Sequence, residues 1–382
     1  MIQDDTRKIK AGDAFLAVGK GRSYITPDMT NTCSRIIAIP KTQVACYLTQ
    51  TWSLDWSKLR VIGVTGTNGK TTVTHLIKQI LEANGESCRV LGTINAQLTT
   101  PEPYQILATL NDMQDKGERN LVMEVSSIGI VEDRIAGIPF SVKALTNITR
   151  DHLDYHKTFK AYTAAKMSFL RLPGPTVFPR DYKQISIDFP VLLQGRFNKS
   201  NIQTAYAIAK HLGISDSIIK KALSKANPPK GRFEMIPSTL PFKVFIDYAH
   251  TPDGLDNILR TAKEITTGKL IVVFGAGGNR DTTKRPLMGK VADQWADSII
   301  LTSDNPRLED PTAILASIQV GIQVHTPLVI EDRRQAIQTA IGLAKEGDVV
   351  VIAGKGHETY QIIGTETLPF NDTEVAKQCL EA

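Results

Sequence analysis

The sequence predicts an α/β protein of three domains: a small, abbreviated N-terminal domain, a central phosphate-binding domain on a parallel sheet, and a Rossmann-like C-terminal domain. Three observations carry this. An apolar run, Val61–Val64, enters a glycine-rich turn ending in Gly69-Lys70-Thr71-Thr72, and a helical pattern follows it. Beyond the turn, buried strand-like runs alternate with amphipathic helical stretches, as parallel strands covered by helices require. The patches Leu172-Pro-Gly-Pro175 and Asn227-Pro-Pro-Lys-Gly231 punctuate this alternation, which then resumes as a second α/β unit.

Residues 1–58 hold two short strand-like runs, Ala14–Val18 and Ile36–Ile39, separated by turn-rich polar sequence. The central domain, 59–228, opens with strand Val61–Val64 and helix Val73–Glu82. Strands Leu121–Val125 and Val142–Leu145 follow, and then a helix over Asn201–Leu212. The C-terminal domain, 229–382, reads as strands Val244–Asp247, Leu270–Phe274, Ser298–Leu301 and Val349–Ile352, alternating with helices such as Arg333–Lys345. A chain of 382 residues with 42% hydrophobic content has ample material for two or three packed cores.

The formal charge of +6 is moderate for this length, and the basic residues are interspersed with acids rather than gathered into an aromatic-studded stripe. A basic cleft for anionic small molecules accounts for them; nucleic acid is not an expected partner. Cys33, Cys46, Cys88 and Cys379 lie too far apart for a CxxC pair, so reduced structural cysteines are expected. The N-terminus is polar and acidic, without an apolar leader, and no window approaches a membrane span. A cytoplasmic monomer is the expectation.

The turn is the strongest chemical signal. In Gly66-Thr67-Asn68-Gly69-Lys70-Thr71-Thr72 successive backbone N–H groups turn inward toward a helix N-terminus, Lys70 reaches the outer phosphates, and Thr71 offers a hydroxyl to Mg²⁺. ATP is the expected ligand. Strict P-loop spacing asks for glycine at position 64, where this chain has Val64. Glu124 ends one strand and His152 follows the next, both at the carboxyl edge where ligands gather on such sheets. Asn198 and Asn201 open a helix, where an amide serves either adenine or the helix cap.

Thr65-Gly-Thr-Asn-Gly-Lys-Thr-Thr72, Asp151-His-Leu-Asp-Tyr-His156 with Ala164-Ala-Lys166, and Gly195-Arg-Phe-Asn-Lys-Ser-Asn201 together resemble the Mur ligase superfamily, which joins amino acids to peptidoglycan precursors. The resemblance implies that Lys166 is carbamylated by CO₂ and that Thr71, Glu124, His152 and carbamylated Lys166 hold Mg²⁺. It implies that Lys70, Glu124, His152 and Lys166 are catalytic, and that Asn198, Asn201, Arg232 and Asp247 bind ATP beside the turn, with His250 nearby. A surface helix position is the bland account of Lys166, and a turn that of Thr251-Pro-Asp253.

Gly275-Ala-Gly-Gly-Asn-Arg-Asp281, Asp304-Asn-Pro-Arg307 and Gly354-Lys-Gly-His-Glu358 look like the amino-acid pocket of the branch that adds meso-diaminopimelate rather than lysine. That amino acid has a second head, so its pocket needs guanidinium forks for a carboxylate and anions or amides for an ammonium. Arg280 and Arg307 are assigned the carboxylate; Asp304, Asn305, Glu358 and the Gly354 carbonyl are assigned the ammonium. Thr99, Thr100, Ser126 and Arg134 match positions that bind the muramoyl-dipeptide acceptor.

The match has gaps. The N-terminal domain and the stretch between Lys166 and Gly195 are short, and Ile128 stands where this branch usually has histidine. The expected activity is ATP-dependent amide formation through an acyl phosphate, adding meso-diaminopimelate to the D-glutamyl γ-carboxylate of a muramoyl-L-Ala-D-Glu precursor. A ligase using a UDP-free, smaller or recycled acceptor is the alternative. A folylpolyglutamate synthase and a non-catalytic nucleotide-binding partner protein are the rivals, opposed by Asp304–Arg307 and by the joint presence of Lys70, Glu124, His152 and Lys166.

Overall fold

In the computed structural model, which describes residues 2–18, 25, 29 and 32–381, the chain forms four sheets. The short strands β1 (Ile2–Gln3), β2 (Ala14–Val18) and β3 (Arg35–Ile39) pair in parallel, and helix Lys41–Thr51 follows. Residues 19–24, part of the abbreviated N-terminal segment, lie outside the described residues. This layer does not close a core of its own. Leu16, Ile37, Val44 and Leu48 join one cluster with Ile106, Leu107, Leu110 and Met123 of the central unit. So few residues cannot bury enough apolar surface alone.

The central sheet has the order β5-β6-β4-β7-β8, all parallel: β4 Arg60–Thr65, β5 Cys88–Leu91, β6 Asn120–Glu124, β7 Val142–Leu145 and β8 Thr176–Val177. Helices Lys70–Ala83, Arg196–His211 and Asp216–Lys225 cover one face, and Pro103–Asp115 and Phe159–Leu170 lie on the other. Connections leave β4 in one direction and later resume on its far side. The carboxyl end of β4 is therefore the switch point, where such sheets open a crevice. Gly63 lets β4 pass beneath two rings, since a Cβ there would lie 2.7 Å from both Phe140 and Phe169.

The C-terminal sheet has the order β13-β12-β11-β14-β10-β9: β9 Glu234–Ile236, β10 Lys243–Asp247, β11 Leu270–Phe274, β12 Ser298–Leu301, β13 Leu328–Val329 and β14 Val349–Ala353. Only β9 pairs antiparallel. Its switch point falls around β10, β14 and β11, so their loops gather at one end. A hairpin of β15 (Tyr360–Ile363) and β16 (Glu366–Pro369) leans over that end, and helix Asp372–Glu381 closes the chain.

Between that helix and the sheet, Arg333 and Asp372 form a fully buried pair, with Nε and Nη2 donating to the two carboxylate oxygens at 2.7 Å each. Arg333 also donates to the carbonyls of Ala353, at 3.0 Å, and Ser303, at 3.5 Å, the residues just before Gly354 and Asp304. The α/β class and its parallel sheets are those expected from the sequence. Among the described residues no helix is long and apolar enough to cross a membrane, and the four cysteines are unpaired.

Candidate functional site: a phosphate cradle facing an amino-acid pocket

The cradle is built by β4 ending at Thr65 and helix Lys70–Ala83 beginning after a four-residue turn. Gly66 (φ 151°) and Gly69 (φ 86°) adopt conformations that side chains resist. A Cβ on Gly66 would sit 1.8 Å from the Thr146 hydroxyl, and one on Gly69 would sit 2.2 Å from Asn201 Oδ1. Val64 is simply a fully buried strand residue, so the loop starts one residue after the strand. Thr67 Oγ1 is 2.8 Å from the Tyr162 hydroxyl, and Asn68 N donates to Asn147 Oδ1 at 3.0 Å, bracing the loop from outside.

Two lysines crowd this loop. Lys70 Nζ donates to the carbonyls of Gly66 (3.0 Å) and Thr67 (2.8 Å), while Lys166 Nζ donates to the same Gly66 carbonyl at 2.8 Å. Lys166 is buried above the Tyr162 ring, 4.7 Å from its centroid. Burial first, and the charge of Lys70 second, push its ammonium well below the usual lysine range. Burial also lowers Lys70.

Opposite stands Glu124, at the end of β6, 1% exposed. Its Oε1 accepts from Thr71 Oγ1 and from Thr93 N, both at 2.9 Å, and Arg232 Nη2 donates to Thr71 Oγ1 at 2.9 Å. His152 takes a left-handed conformation (φ 53°) and contacts Asp151 at 3.3 Å. Burial lowers the His152 imidazole despite that carboxylate. Burial alone would raise Asp151, but His152, His250 and Lys284 hold it below the usual range. Among the described residues no three His, Cys, Asp or Glu side chains cluster as a ready metal site. The oxygens of Thr71 and Glu124 are hard donors of the kind Mg²⁺ takes, with room for phosphate and water to complete the shell.

A cavity of about 570 Å³ runs along this loop, lined by Thr67–Thr72, Thr93, Thr99, Glu124, Ser126, Asp151, His152 and Asn201, and on its far wall by Arg232, Asp247, Tyr248, His250 and Asp253. Asn201 lies against the phosphate turn, and Asn198 stands behind, its Oδ1 accepting from Asn201 Nδ2 at 3.1 Å. Thr100 and Arg134 brace the wall rather than line it. Arg134 donates to the Thr100 carbonyl at 2.9 Å and pairs with Glu132 at 2.6 Å and Glu102 at 3.1 Å.

Sequence reasoning missed several residues of the far wall. Asp253 Oδ2 accepts from Asn68 Nδ2 at 2.6 Å and Thr149 Oγ1 at 3.3 Å, tying the cradle to the C-terminal domain. In sequence Thr251-Pro-Asp253 is a turn, and Thr251 does cap the helix Pro252–Ile265. His357 Nε2 lies 3.1 Å from the Thr93 carbonyl, and its Nδ1 is buried without a partner, as is Arg232 Nε. Asp247 accepts from Phe233 N and Ala249 N, both at 2.6 Å, and burial raises its carboxyl to about 6.

The residues expected to form the amino-acid pocket lie on the loops after β11, β12 and β14. Arg307, at φ 53°, is held by the hairpin: its N donates to the Ile362 carbonyl at 3.1 Å and its carbonyl accepts from Gly364 N at 2.7 Å. Such a conformation persists only when surroundings enforce it. Arg307 Nη1 donates to the Gly278 carbonyl at 2.8 Å. A Cβ on Gly277 would lie 3.0 Å from Arg307 Nη1 and 3.8 Å from Arg280 Cγ, so both arginines converge there. Gly354 (φ 112°) leaves room for Asp304, whose Oδ2 would be 2.6 Å from a Cβ at that position. Asp304 and Asn305 are buried.

The Mur ligase middle domain model matches residues 64–186, and the Mur ligase glutamate ligase domain model matches 231–356. The chain is 41% identical over 376 residues to a UDP-N-acetylmuramoyl-L-alanyl-D-glutamate–2,6-diaminopimelate ligase of Aquifex aeolicus, covering 85% of this chain and 78% of the relative. It is 35% identical to the like-named protein of Syntrophomonas wolfei over 461 positions, covering 99% and 94%. That alignment is longer than this chain, so the relative carries internal stretches missing here. A solved structure bearing the same ligase name superposes with a TM-score of 0.63 at 30% identity, covering 100% of this chain and 94% of the other.

Proposed function

The chain belongs to the Mur ligase family, and from that premise we propose that it adds meso-diaminopimelate to the D-glutamyl γ-carboxylate of a muramoyl-L-Ala-D-Glu acceptor at the expense of ATP. The observation that supports this is that the loops after β11, β12 and β14 bring the Arg307 guanidinium and the Asp304 and Glu358 carboxylates around Tyr360, with Arg280 on the same loops. A zwitterionic head needs both charge types; lysine needs only one.

In this reading the γ-phosphoryl group passes from ATP to the acceptor carboxylate, giving ADP and an acyl phosphate. The diaminopimelate amine then attacks the carbonyl carbon, the C–O bond to phosphate breaks, and the nitrogen loses a proton. Bound Mg²⁺ would neutralise charge on the phosphoryl oxygens, held by Thr71, Glu124 and His152 together with Lys166 as a carbamate. Lys166 suits that modification because an amine kept neutral has the lone pair that attacks CO₂. Lys70, now resting on its own loop carbonyls, would swing to the phosphates. Asn201, Arg232 and Asp247 would flank the nucleotide, and Thr99 and Ser126 the acceptor. The same reading makes the enzyme a cytoplasmic monomer acting on small molecules.

The test is phosphate release with ATP, Mg²⁺ and meso-diaminopimelate, comparing the UDP-linked acceptor with one lacking UDP, and lysine with diaminopimelate. Turnover with diaminopimelate and the UDP-linked acceptor is the expected result. Preference for the UDP-free acceptor would redirect the reading to a salvage ligase, and no turnover with either would overturn it.

A further inference from the structure

The side chain at the centre of the amino-acid pocket is none of those assigned from sequence. Lys355 is fully buried. Its Nζ donates to Glu358 Oε2 at 2.9 Å and to Asn305 Oδ1 at 3.0 Å, lies 4.0 Å from Asp304 Oδ1, and sits 5.6 Å from the centre of the Tyr360 ring. Asn305 Oδ1 also accepts from Ile362 N at 2.9 Å. Both donors to this oxygen lack any acceptor capacity, so the amide orientation is fixed: oxygen toward Lys355 and Ile362, nitrogen toward Glu358. With both lone pairs taken, Asn305 has nothing left for a ligand ammonium. Its Nδ2 gives one hydrogen to Glu358 Oε2 at 3.0 Å and keeps a second, which suits a carboxylate.

The charges follow the same logic. Asp304 and Glu358 bring two negative charges to this corner and Lys355 returns one positive, which leaves a single negative charge for one ammonium. Arg333 is already matched by Asp372.

Resting on the ligase reading above, we propose that Lys355 is a positioning residue that sets the amino-acid choice of this pocket. It locks Asn305 with its N–H toward the carboxylate of the distal head and limits the neighbouring acids to one net charge, so that a zwitterionic head fits better than a lone ammonium. Without Lys355 the Asn305 oxygen keeps only the Ile362 N–H to hold it and the corner carries two negative charges, both of which favour lysine.

The experiment measures kcat and KM for meso-diaminopimelate, 2-aminopimelate (distal carboxylate only) and L-lysine (distal ammonium only) in the full-length enzyme and in Lys355→Met. Loss of a charge-assisted contact predicts a fall of about 10- to 100-fold in kcat/KM for the two carboxylate-bearing substrates. Lysine should hold steady or improve, with the KM for ATP unchanged. Asn305→Asp is the second variant. It keeps the acceptor for Lys355 and Ile362 while replacing the outward N–H by oxygen, and should reproduce the same shift in selectivity if Lys355→Met fails to fold. An equal fall for all three substrates, or a parallel rise in the KM for ATP, would reduce Lys355 to a packing residue and overturn the inference. A wild-type enzyme that does not use diaminopimelate would overturn the ligase reading itself, whatever the variants do.

Discussion

The phosphate cradle and the amino-acid pocket are both charged, buried at their centres and built at the carboxyl ends of parallel strands, yet their charges are arranged in opposite ways. In the cradle, Lys70 and Lys166 share one carbonyl, and burial together with the Lys70 charge keeps the Lys166 amine neutral. In the pocket, Lys355 is paired with Glu358 and Arg333 with Asp372. A site whose cation rests on loop carbonyls gains most when an anion arrives. A site whose charges are largely paired gains less from any single ligand and discriminates through fixed hydrogen bonds instead. The first arrangement suits driving a reaction and the second suits choosing a reactant.

This contrast is broken most directly at Lys70. Lys70→Met should lower kcat by roughly 10³-fold, since it removes a cation aimed at charge that develops in transfer, while equilibrium binding of diaminopimelate stays within about twofold by calorimetry. A comparable loss of diaminopimelate binding would mean that the two regions do not divide the labour. Arg307→Ala should show the mirror image. We expect kcat/KM for diaminopimelate to fall about 100-fold through loss of a guanidinium fork, with little change in the KM for ATP; equal losses would remove Arg307 from the pocket.

A smaller effect is expected where the regions touch. His357→Gln removes the imidazole beside the Thr93 carbonyl and should reduce kcat by about 10-fold by loosening closure, leaving each substrate's separate binding nearly intact. The smallest effect is on stability against pH. Burial lowers His250 and His357 to about 4, so between that value and their ordinary 6.5 the unfolded chain binds protons that the fold refuses. Stability should therefore fall as pH drops from about 6.5 to about 4. Asp247, raised to about 6, acts in the opposite sense: the fold holds its proton more tightly, which adds stability as pH falls below 6. Thermal melts of wild type and His357→Gln across this range should show a shallower decline in the variant; identical slopes would exclude His357 as a contributor.

Much of the architecture is legible in the sequence because local and global signals agree. Val142–Leu145, Leu270–Phe274 and Ser298–Leu301 are strands with the bounds that apolar run length predicts. Helices are less sharply marked, since the apolar stripe reports the packed turns and not the caps: helix Lys70–Ala83 begins three residues before its first apolar position, Val73. The cradle is legible because backbone conformation there demands glycine. The pocket's inner layer is not. Lys355 sits between two glycines in the segment Gly354–Glu358, where sequence reasoning assigns it no role, and the topology that folds β14 between β10 and β11 buries it. Asn305 is expected from the sequence to face a ligand ammonium, and two donors from elsewhere in the chain, Lys355 and Ile362, occupy its oxygen. Asp253 and Arg134 depend likewise on partners that no local pattern reveals.

The buried pair of Arg333 and Asp372 has a consequence for the order in which the molecule is made. Residues separated by 39 positions must both exist before either can be buried without an unmatched charge. The ribosome releases the central sheet and its glycine turn long before the last helix emerges, and units made first fold first. The cradle can thus be finished on the nascent chain while the carbonyls of Ser303 and Ala353 still lack their anchored guanidinium. Selectivity for the incoming amino acid is set later than the cradle, once residues 372 onward have joined the fold.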